Sequence, residues 1–411
     1  MTAPAPKATF LRDVFDEHFE ESQFLWVRRD NAMRSPAYTL REFSRIEERI
    51  DAHTQGMLVI GERMIPLVDE TLGGRDPYAA LAAAFALLRL DTAAAADCVL
   101  SSFEDAGGRT LDGLRRALCL GLARRTLPRL QSLARIEAPA TAAAAAEVLA
   151  FQAGAVPPAG VLLKLLSDED AAVRRSAWRT VGYLAVPVEP SAYSAALRDD
   201  DPGVRTGALH AAAWSGLPGL LAVLRRLAAT PDPEQLDALY ALAVLATPGD
   251  LPLLMTLGAA EELGPSRFRL LGAFGHPAVV PALLSAMAGS DAEAAAAAGT
   301  AFTKITGHDV ASGARAKVGV ADKDADSFDA EFADEVTLPD AERASAHWDA
   351  VRPTLGPGTR ICRGFDVTRG LGHDDFVTLD MESRWELLLR GRYYGAWAGT
   401  PMQLEVFPQR R

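Results

Sequence analysis

Side chains able to carry out acid–base or metal chemistry are thinly spread along this chain of 411 residues. Its seven histidines lie at positions 18, 53, 210, 276, 308, 347 and 373. None stands one helical turn from another, as histidines that bind one metal ion on a helix do. His373 with Asp374 and Asp375 is the one local histidine–carboxylate cluster, and it favours the start of a turn over a metal site. We therefore expect no metal ion and no acid–base catalyst.

The loops and cysteines indicate no cofactor or redox site. Gly370-Leu371-Gly372 lacks the strand, third glycine and following helix of a dinucleotide-binding loop. Cys98, Cys119 and Cys362 are widely spaced and form no C-x-x-C pair. We predict that Cys98 and Cys119 are buried small hydrophobes, and that the chain is not an enzyme and holds no cofactor.

Arginine and tryptophan instead recur together on two neighbouring helical stretches. Arg174 and Trp178 lie on the first, and Arg205, His210 and Trp214 lie on the second. Tryptophan and arginine are enriched among the residues that dominate protein–protein binding. These five residues therefore predict a shallow aromatic–cationic patch for a protein partner. The alternative is packing, in which the tryptophans fill gaps between Ala-rich helices and the arginines reach the acidic turns of neighbouring units.

The helices that would position these residues form a repeat between residues 161 and 306. In each copy a short apolar helix ends in an acidic turn, and a second, Ala-rich helix follows. Val173, Val204, Leu236 and Phe268 hold the equivalent position, with spacings of 31, 32 and 32 residues. A constant period in this range is typical of stacked helical pairs. The sequence thus predicts an all-α fold, an α-solenoid.

Composition and helix-breaking residues divide the chain into four segments. They are a helical cap at residues 1–75, a repeat array at 76–310, an exposed acidic linker at 311–337 and a small, mostly helical module at 338–411. In the cap, Thr39 and Glu42 predict a capping box at the start of a helix. In the module we expect a helix over 341–351 that begins after Asp340, and a second helix over about 381–397.

Charge and hydropathy restrict the class of partner. The chain has 54 acidic and 42 basic residues and a formal net charge of −12, which opposes docking on nucleic-acid phosphates. Its longest strongly apolar run, residues 78–88, is far shorter than the roughly 20 residues of a membrane-spanning helix. Residues 1–21 lack the apolar stretch of a signal peptide. We expect a cytoplasmic protein that binds another protein and no membrane.

The copies at 161–184 and 192–216 resemble HEAT repeats, and the copy at 271–307 resembles the short bacterial subtype found in phycobilisome lyase-like proteins. In HEAT solenoids the second helices line the concave side. The resemblance therefore implies that Trp178 and Trp214 lie on the side that binds partners.

Nearly the whole chain also resembles a proteobacterial HEAT-repeat family of about this length. The residues that carry this resemblance are His18–Glu21, Phe24–Trp26, Arg29-Asp30, Tyr38–Leu40, Arg49–His53, Phe302–Asp309, Leu338–Asp340, Trp348 and Pro357–Arg360. Members of that family are often encoded near type VI secretion clusters. The resemblance implies an adaptor or chaperone for a secretion effector or spike component.

Two other functions remain open from the sequence. An immunity protein against a cognate toxin fits the acidic charge, which would steer it to a basic nuclease. A HEAT-type DNA glycosylase would need a basic groove and an aromatic–carboxylate site, for which Trp178, Trp214 and Arg205 are the candidates. The net charge of −12 weighs against the glycosylase.

Overall fold

Two compact units make up the chain. The computed structural model describes residues 8–121, 124–136, 138–318, 335–368, 370–400 and 404–408. Unit 1 comprises Met1–Ser215, Asp380–Glu382 and Ala398–Arg411, and unit 2 comprises Gly216–Leu379 and Ser383–Trp397.

Unit 1 has a helical hairpin followed by five helical pairs. Its helices are α1 (Ala8–Met33), α2 (Leu40–Leu58), α3 (Ile65–Leu72), α4 (Pro77–Leu90), α5 (Ala93–Asp105), α6 (Gly108–Leu120), α7 (Leu127–Leu133), α8 (Pro139–Ala153), α9 (Ala159–Leu166), α10 (Ala171–Leu184), α11 (Pro190–Ala196) and α12 (Pro202–Trp214). The second helices of successive pairs, α4, α6, α8, α10 and α12, pack side by side. We call them the inner row of unit 1; α1 packs against α4 at its head.

Polar side chains determine where several of these helices begin. The Glu42 amide donates to the Thr39 hydroxyl, and the Thr39 amide donates to the Glu42 carboxylate at 2.8 Å, so the predicted capping box is confirmed. Asp76, Asp170 and Asp201 accept amide hydrogen bonds at the starts of α4, α10 and α12. The aspartates of the acidic turns thus satisfy amides that have no partner within the helix.

Alanine lets the helices of the inner row approach closely. Residues 79–88 of α4 and 142–151 of α8 are buried throughout. Helix α4 packs against α1, α2, α3, α5 and α6, and α8 packs against α6, α7 and α10. A helix that is apolar around its whole circumference is stable in such a position. At Gly113 of α6 a Cβ would come within 2.2 Å of the Pro77 carbonyl oxygen, so no larger residue fits there.

Unit 2 repeats the pattern with three helical pairs and adds the C-terminal elements. Its elements are α13 (Leu220–Leu227), α14 (Leu236–Leu245), α15 (Leu251–Ala259), α16 (Ser266–Phe274), α17 (Val280–Met287), α18 (Ala292–Thr306), β1 (Ala311–Lys317), β2 (Glu335–Pro339), α19 (Ala341–Val351), β3 (Ile361–Cys362), β4 (Phe365–Asp366), α20 (His373–Thr378) and the larger part of α21 (Met381–Tyr393). Helices α14, α16 and α18 pack side by side as the inner row of unit 2.

The repeat predicted from the sequence is confirmed. Val173, Val204 and Phe268 are buried near the starts of α10, α12 and α16, and Leu236, the first residue of α14, is half-buried. The fold class is all-α, a HEAT-like α-solenoid of stacked helical pairs.

The segment predicted as an acidic linker carries a strand at each end. Strands β1 and β2 pair antiparallel, with Ala311 opposite Pro339. Neither strand was predicted. Strand β1 gives no signal in the sequence, because it is exposed over most of its length and shows no apolar alternation. Most of that segment, residues 319–334, lies outside the described residues. The division of the chain into four segments stays a prediction.

The helices predicted near the C-terminus are present. Asp340 caps the helix Ala341–Val351, as expected. The last helix begins at Met381 but ends at Tyr393, four residues earlier than predicted. It ends there because a turn follows, in which Gly395 has a positive φ of 70°.

Candidate protein-binding surfaces

Arg174 and Arg205 hold the acidic turns of the repeats. Arg174 donates from Nε and Nη2 to the two carboxylate oxygens of Asp199, both at 2.8 Å, and from Nη1 to the carbonyl oxygens of Asp168 and Glu169. Arg205 donates from Nη1 to the Asp199 carbonyl oxygen at 2.8 Å. The hydrogen bond from Arg174 is the main cause of the lowered pKa of Asp199. Arg174 therefore reaches the acidic turn of the next unit, as the packing alternative expected, whereas the bond from Arg205 is to the turn of its own unit.

Trp178 and Trp214 are core residues, with exposed fractions of 1% and 3%. The Trp178 ring lies 5.0 Å from the ring of Tyr193. Gly207 on α12 leaves room for it, since a Cβ there would come within 3.1 Å of the Trp178 Cβ. The exposed aromatic part of the predicted patch is therefore wrong, because both indoles are buried.

His210 is half-buried on α12. Burial lowers its pKa well below the usual value, and the positive charges of Arg34 and Arg179 lower it further. The imidazole is thus held neutral at pH 7. A role in partner binding for Arg174, Arg205 and His210 stays a prediction.

A ladder of ionisable side chains crosses the inner row of unit 1. Arg115 on α6, Glu147 on α8 and Arg179 on α10 follow one another at intervals of 32 residues. Glu147 is fully buried; its Oε1 accepts a hydrogen bond from Arg115 and lies 3.8 Å from Nη1 of Arg179, and its Oε2 accepts one from Ser176. Asp112 on α6 lies beside the ladder. Burial alone would raise its pKa, but Arg115, Arg179 and Arg116 together outweigh burial and hold that pKa well below its usual range.

The apolar positions of the repeat do not reveal this ladder, although the sequence carries a signal for it. The period of 32 residues that links the apolar positions also links the three charged residues of the ladder. Charges at one repeat interval on Ala-rich helices indicate partners on adjacent second helices.

The inner row of unit 1 also holds the C-terminal segment, which we define as residues Leu404–Pro408. Phe407 has an exposed fraction of 2%, and its ring lies 5.1 Å from that of Phe85 and 5.7 Å from that of Trp26. Leu404 is buried as well. The segment is therefore held by aromatic side chains of α1 and α4, and we call the place it occupies the C-terminal seat.

Two polar contacts hold the segment at Glu405, two residues before Phe407. Nη2 of Arg29 donates to the Glu405 carbonyl oxygen at 2.7 Å, and the Tyr183 hydroxyl donates to Glu405 Oε2 at 2.9 Å. Arg29 also donates to Oε1 of the fully buried Glu47 at 3.0 and 3.1 Å. Burial raises the pKa of Tyr183 well above its usual value, and the charge of Glu405 raises it further.

In unit 2, residues 360–364 close the ends of the three inner-row helices. Arg360, 3% exposed, donates to the carbonyl oxygens of Ala243, Val244, Ala246 and Ala273 at 2.6 to 3.1 Å. The amide of Ile361 donates to the Gly275 carbonyl at 2.8 Å, and the amide of Arg363 donates to the Lys304 carbonyl at 2.7 Å. One short segment thus satisfies carbonyls that the helices α14, α16 and α18 leave without an internal partner.

A buried cluster of polar groups lies beside this segment. Lys304 donates to Glu386 Oε1 at 2.6 Å, and the Tyr240 hydroxyl contacts the same oxygen. Arg360, Glu386 and Arg390 line a cavity of about 10 Å³, which is room for about one water molecule. This cavity is too small for a substrate. Its two arginines donate to the Ala246 carbonyl oxygen, and Glu386 accepts from Lys304.

The described residues contain no group of three or more His, Cys, Asp or Glu side chains placed to hold a metal ion. His373, Asp374 and Asp375 form the first turn of α20. All three cysteines are free thiols; Cys119 is buried as predicted, whereas Cys98 is only half-buried because it lies on the outer helix α5. Among the described helices, none combines the length and the apolar character needed to cross a membrane.

Comparisons with known proteins identify the repeat. Residues 158–243 match the family model described as HEAT repeats. Among solved structures, Kap121p is similar at 14% identity and a TM-score of 0.42, with 63% of this chain and 36% of that chain covered. The Escherichia coli protein YibA is similar at 14% identity and a TM-score of 0.34, with 67% of this chain and 98% of that chain covered.

This chain spans about a third of the length of Kap121p. No curated protein matches it. The family match covers the pairs α9/α10 and α11/α12, in which Arg174 and Arg205 hold the acidic turns. Residues 158–243 are therefore similar to HEAT repeats.

Proposed function

We propose that this chain is a non-enzymatic scaffold that binds another protein. The observation that carries the proposal is the stack of helical pairs in unit 1, in which five second helices pack side by side. Such stacks present long continuous surfaces suited to extended or partly folded protein ligands. Arg174, Arg205 and His210 are the proposed contact residues of the scaffold.

Within this role, the partner to test first is a type VI secretion effector or spike component, for which the chain would act as adaptor or chaperone. The support is the resemblance of the sequence to a family encoded near such clusters. Net charge −12 makes a basic partner surface the favoured one.

The test is affinity purification of the tagged full chain from the organism that encodes it. The wild type and the variant His373→Ala, which changes an exposed residue of α20, should retain the same protein partner. His210→Ala should retain several-fold less at equal amounts of folded bait. Absence of any stable protein partner under several lysis conditions would contradict the scaffold role.

The acidic charge also favours a second candidate, an immunity protein against a toxin encoded beside it. Deleting this gene while keeping its neighbours should then arrest growth, and restoring the gene should rescue it. Normal growth of the deletion strain would remove this candidate.

A further inference from the structure

The C-terminal segment contacts unit 1 as a short bound peptide contacts its receptor. Two apolar side chains, Leu404 and Phe407, are buried. Between them, Arg29 donates a hydrogen bond to the main-chain carbonyl of Glu405, and Tyr183 donates one to its carboxylate. Main-chain hydrogen bonds supply affinity and pockets for side chains supply specificity when extended peptides are recognised, and buried aromatic anchors dominate the binding energy.

The C-terminal seat does not depend on the segment for charge balance. Arg29 donates twice to Glu47, an ion pair with exposed fractions of 1% and 0%. Its guanidinium therefore keeps a buried counter-charge when the Glu405 carbonyl leaves. Arg29 also lies over the ring of Phe43, 5.2 Å from the centroid, so its position is fixed by α2 as well as by the segment.

The seat contains one further donor that the segment leaves unused. The indole Nε1 of Trp26 is buried and has no hydrogen-bond partner among the described groups. The Trp26 ring contacts Phe407, so this donor belongs to the side chain that forms the seat. A buried donor without an acceptor is unfavourable, and a ligand that supplies an acceptor there would bind more tightly than the chain's own segment.

We infer that the C-terminal seat is a peptide-binding site, occupied here by the chain's own C-terminal segment. Its external ligand is an extended protein segment with an acidic residue two positions before an aromatic one, flanked by apolar residues as in Leu404-Glu405-Val406-Phe407. This inference rests on the proposed scaffold function and names the class of partner. The tethered segment then competes with the partner, because tethering gives it a high effective concentration at the seat.

The test measures binding of a fluorescent peptide with the sequence of residues 400–411 to the full chain, by fluorescence anisotropy. The wild type should bind it at least about tenfold more weakly than the variant Phe407→Ala, in which the tethered competitor has lost its anchor. Pro408→Ala, which changes the exposed neighbour, should behave as the wild type. A chain that ends at Thr400 should bind the peptide as the Phe407→Ala chain does.

Two further measurements assign the contacts. Peptides with alanine in place of the residues equivalent to Glu405 or Phe407 should bind the Phe407→Ala chain at least about tenfold more weakly, because each loses a buried contact. Adding Tyr183→Phe to that chain should weaken binding several-fold, since only a hydroxyl donor is removed.

Several results would overturn the inference. The first is equal affinity of the wild type and Phe407→Ala for the peptide, and the second is no peptide binding to folded Phe407→Ala or to the folded chain that ends at Thr400. The third is loss of cooperative unfolding in both of these variants. The fourth is a dimer that dissociates when residues 401–411 are removed. The last would assign the seat to a second copy of the chain. Peptide binding without any captured partner would contradict the scaffold role alone, whereas partner capture unaffected by Phe407→Ala would contradict this inference alone.

Discussion

Arg115 and Glu147 form a buried ion pair between helices that stand one repeat apart, and the separation of 32 residues equals the repeat period. Glu147 has no exposed surface, so its charge is balanced entirely by protein groups. The repeat period therefore aligns charges as well as apolar side chains across the inner row of unit 1.

Removing Arg115 should destabilise unit 1 strongly. Arg115→Met leaves Glu147 buried with Arg179 3.8 Å away, and loss of one partner of a buried pair costs about 3–5 kcal/mol. Urea unfolding followed by circular dichroism measures the change. Glu21→Gln, which breaks an exposed ion pair with Arg49, is the control and should cost less than about 1 kcal/mol. A double variant, Arg115→Met with Glu147→Met, should recover much of the loss; no recovery would contradict the assignment.

Trp178 should act on stability and leave partner binding intact. Trp178→Ala removes a fully buried indole and should cost about 3–5 kcal/mol, whereas Trp178→Phe should cost less because it leaves a smaller cavity. Thermal unfolding measures both variants. Partner capture per folded molecule should match the wild type at low temperature. A stable Trp178→Ala chain that no longer captures the partner would restore the exposed-patch hypothesis.

Gly275 should tolerate no side chain, because it ends α16 in direct contact with the segment that closes the inner row of unit 2. Its φ is +63°, and a Cβ would come within 2.3 Å of the Ile361 carbonyl oxygen. Gly154 has nearly the same backbone conformation, with φ 60° and ψ 24°, but open space around its Cβ position, so it isolates the cost of backbone strain. Gly154→Ala should cost about 1–2 kcal/mol.

Gly275→Ala should cost clearly more than Gly154→Ala and should also free the segment that follows Arg360. Hydrogen exchange of the Ile361 and Arg363 amides, which donate to α16 and α18, reports this release. Equal stability of the two variants, with unchanged exchange at these amides, would show that the contact at Gly275 contributes nothing.

The sequence predicts those parts of the fold that depend on local chemistry and on the period. Thr39 and Asp340 begin their helices by hydrogen bonds that span three residues, so their neighbours reveal them. Val173 and Val204 reveal the stacking because each repeat buries the same position. The strand β1 could not be found, since its side chains are exposed and carry no burial pattern.

The candidate surfaces were less predictable because their contacts join distant parts of the chain. Arg29 and Glu405 are separated by 376 residues, and no period links them. Trp178 was ambiguous for a different reason. A tryptophan on an Ala-rich helix fits both a binding surface and a gap between helices, and the small residue opposite it, Gly207, decides for packing.

The protein should lose stability as the pH falls below about 6.5, the usual pKa of histidine. Burial lowers the pKa of His53, His210, His276 and His347 in the folded chain. Above pH 6.5 these imidazoles are neutral in both the folded and the unfolded chain. Below it the unfolded chain binds more protons, and the free energy of unfolding decreases.

His347 offers the cleanest test of this pH dependence in unit 2. Its ring stacks on that of His308 with centroids 4.1 Å apart, and burial followed by the charge of His308 lowers its pKa. His347→Phe keeps an aromatic ring and removes the titrating group, so Tm should fall less between pH 7.5 and 5.5 than in the wild type. His373→Asn, at an exposed position, is the control and should follow the wild type. The same fall of Tm in the His347→Phe chain would show that protonation of this pair does not destabilise the fold.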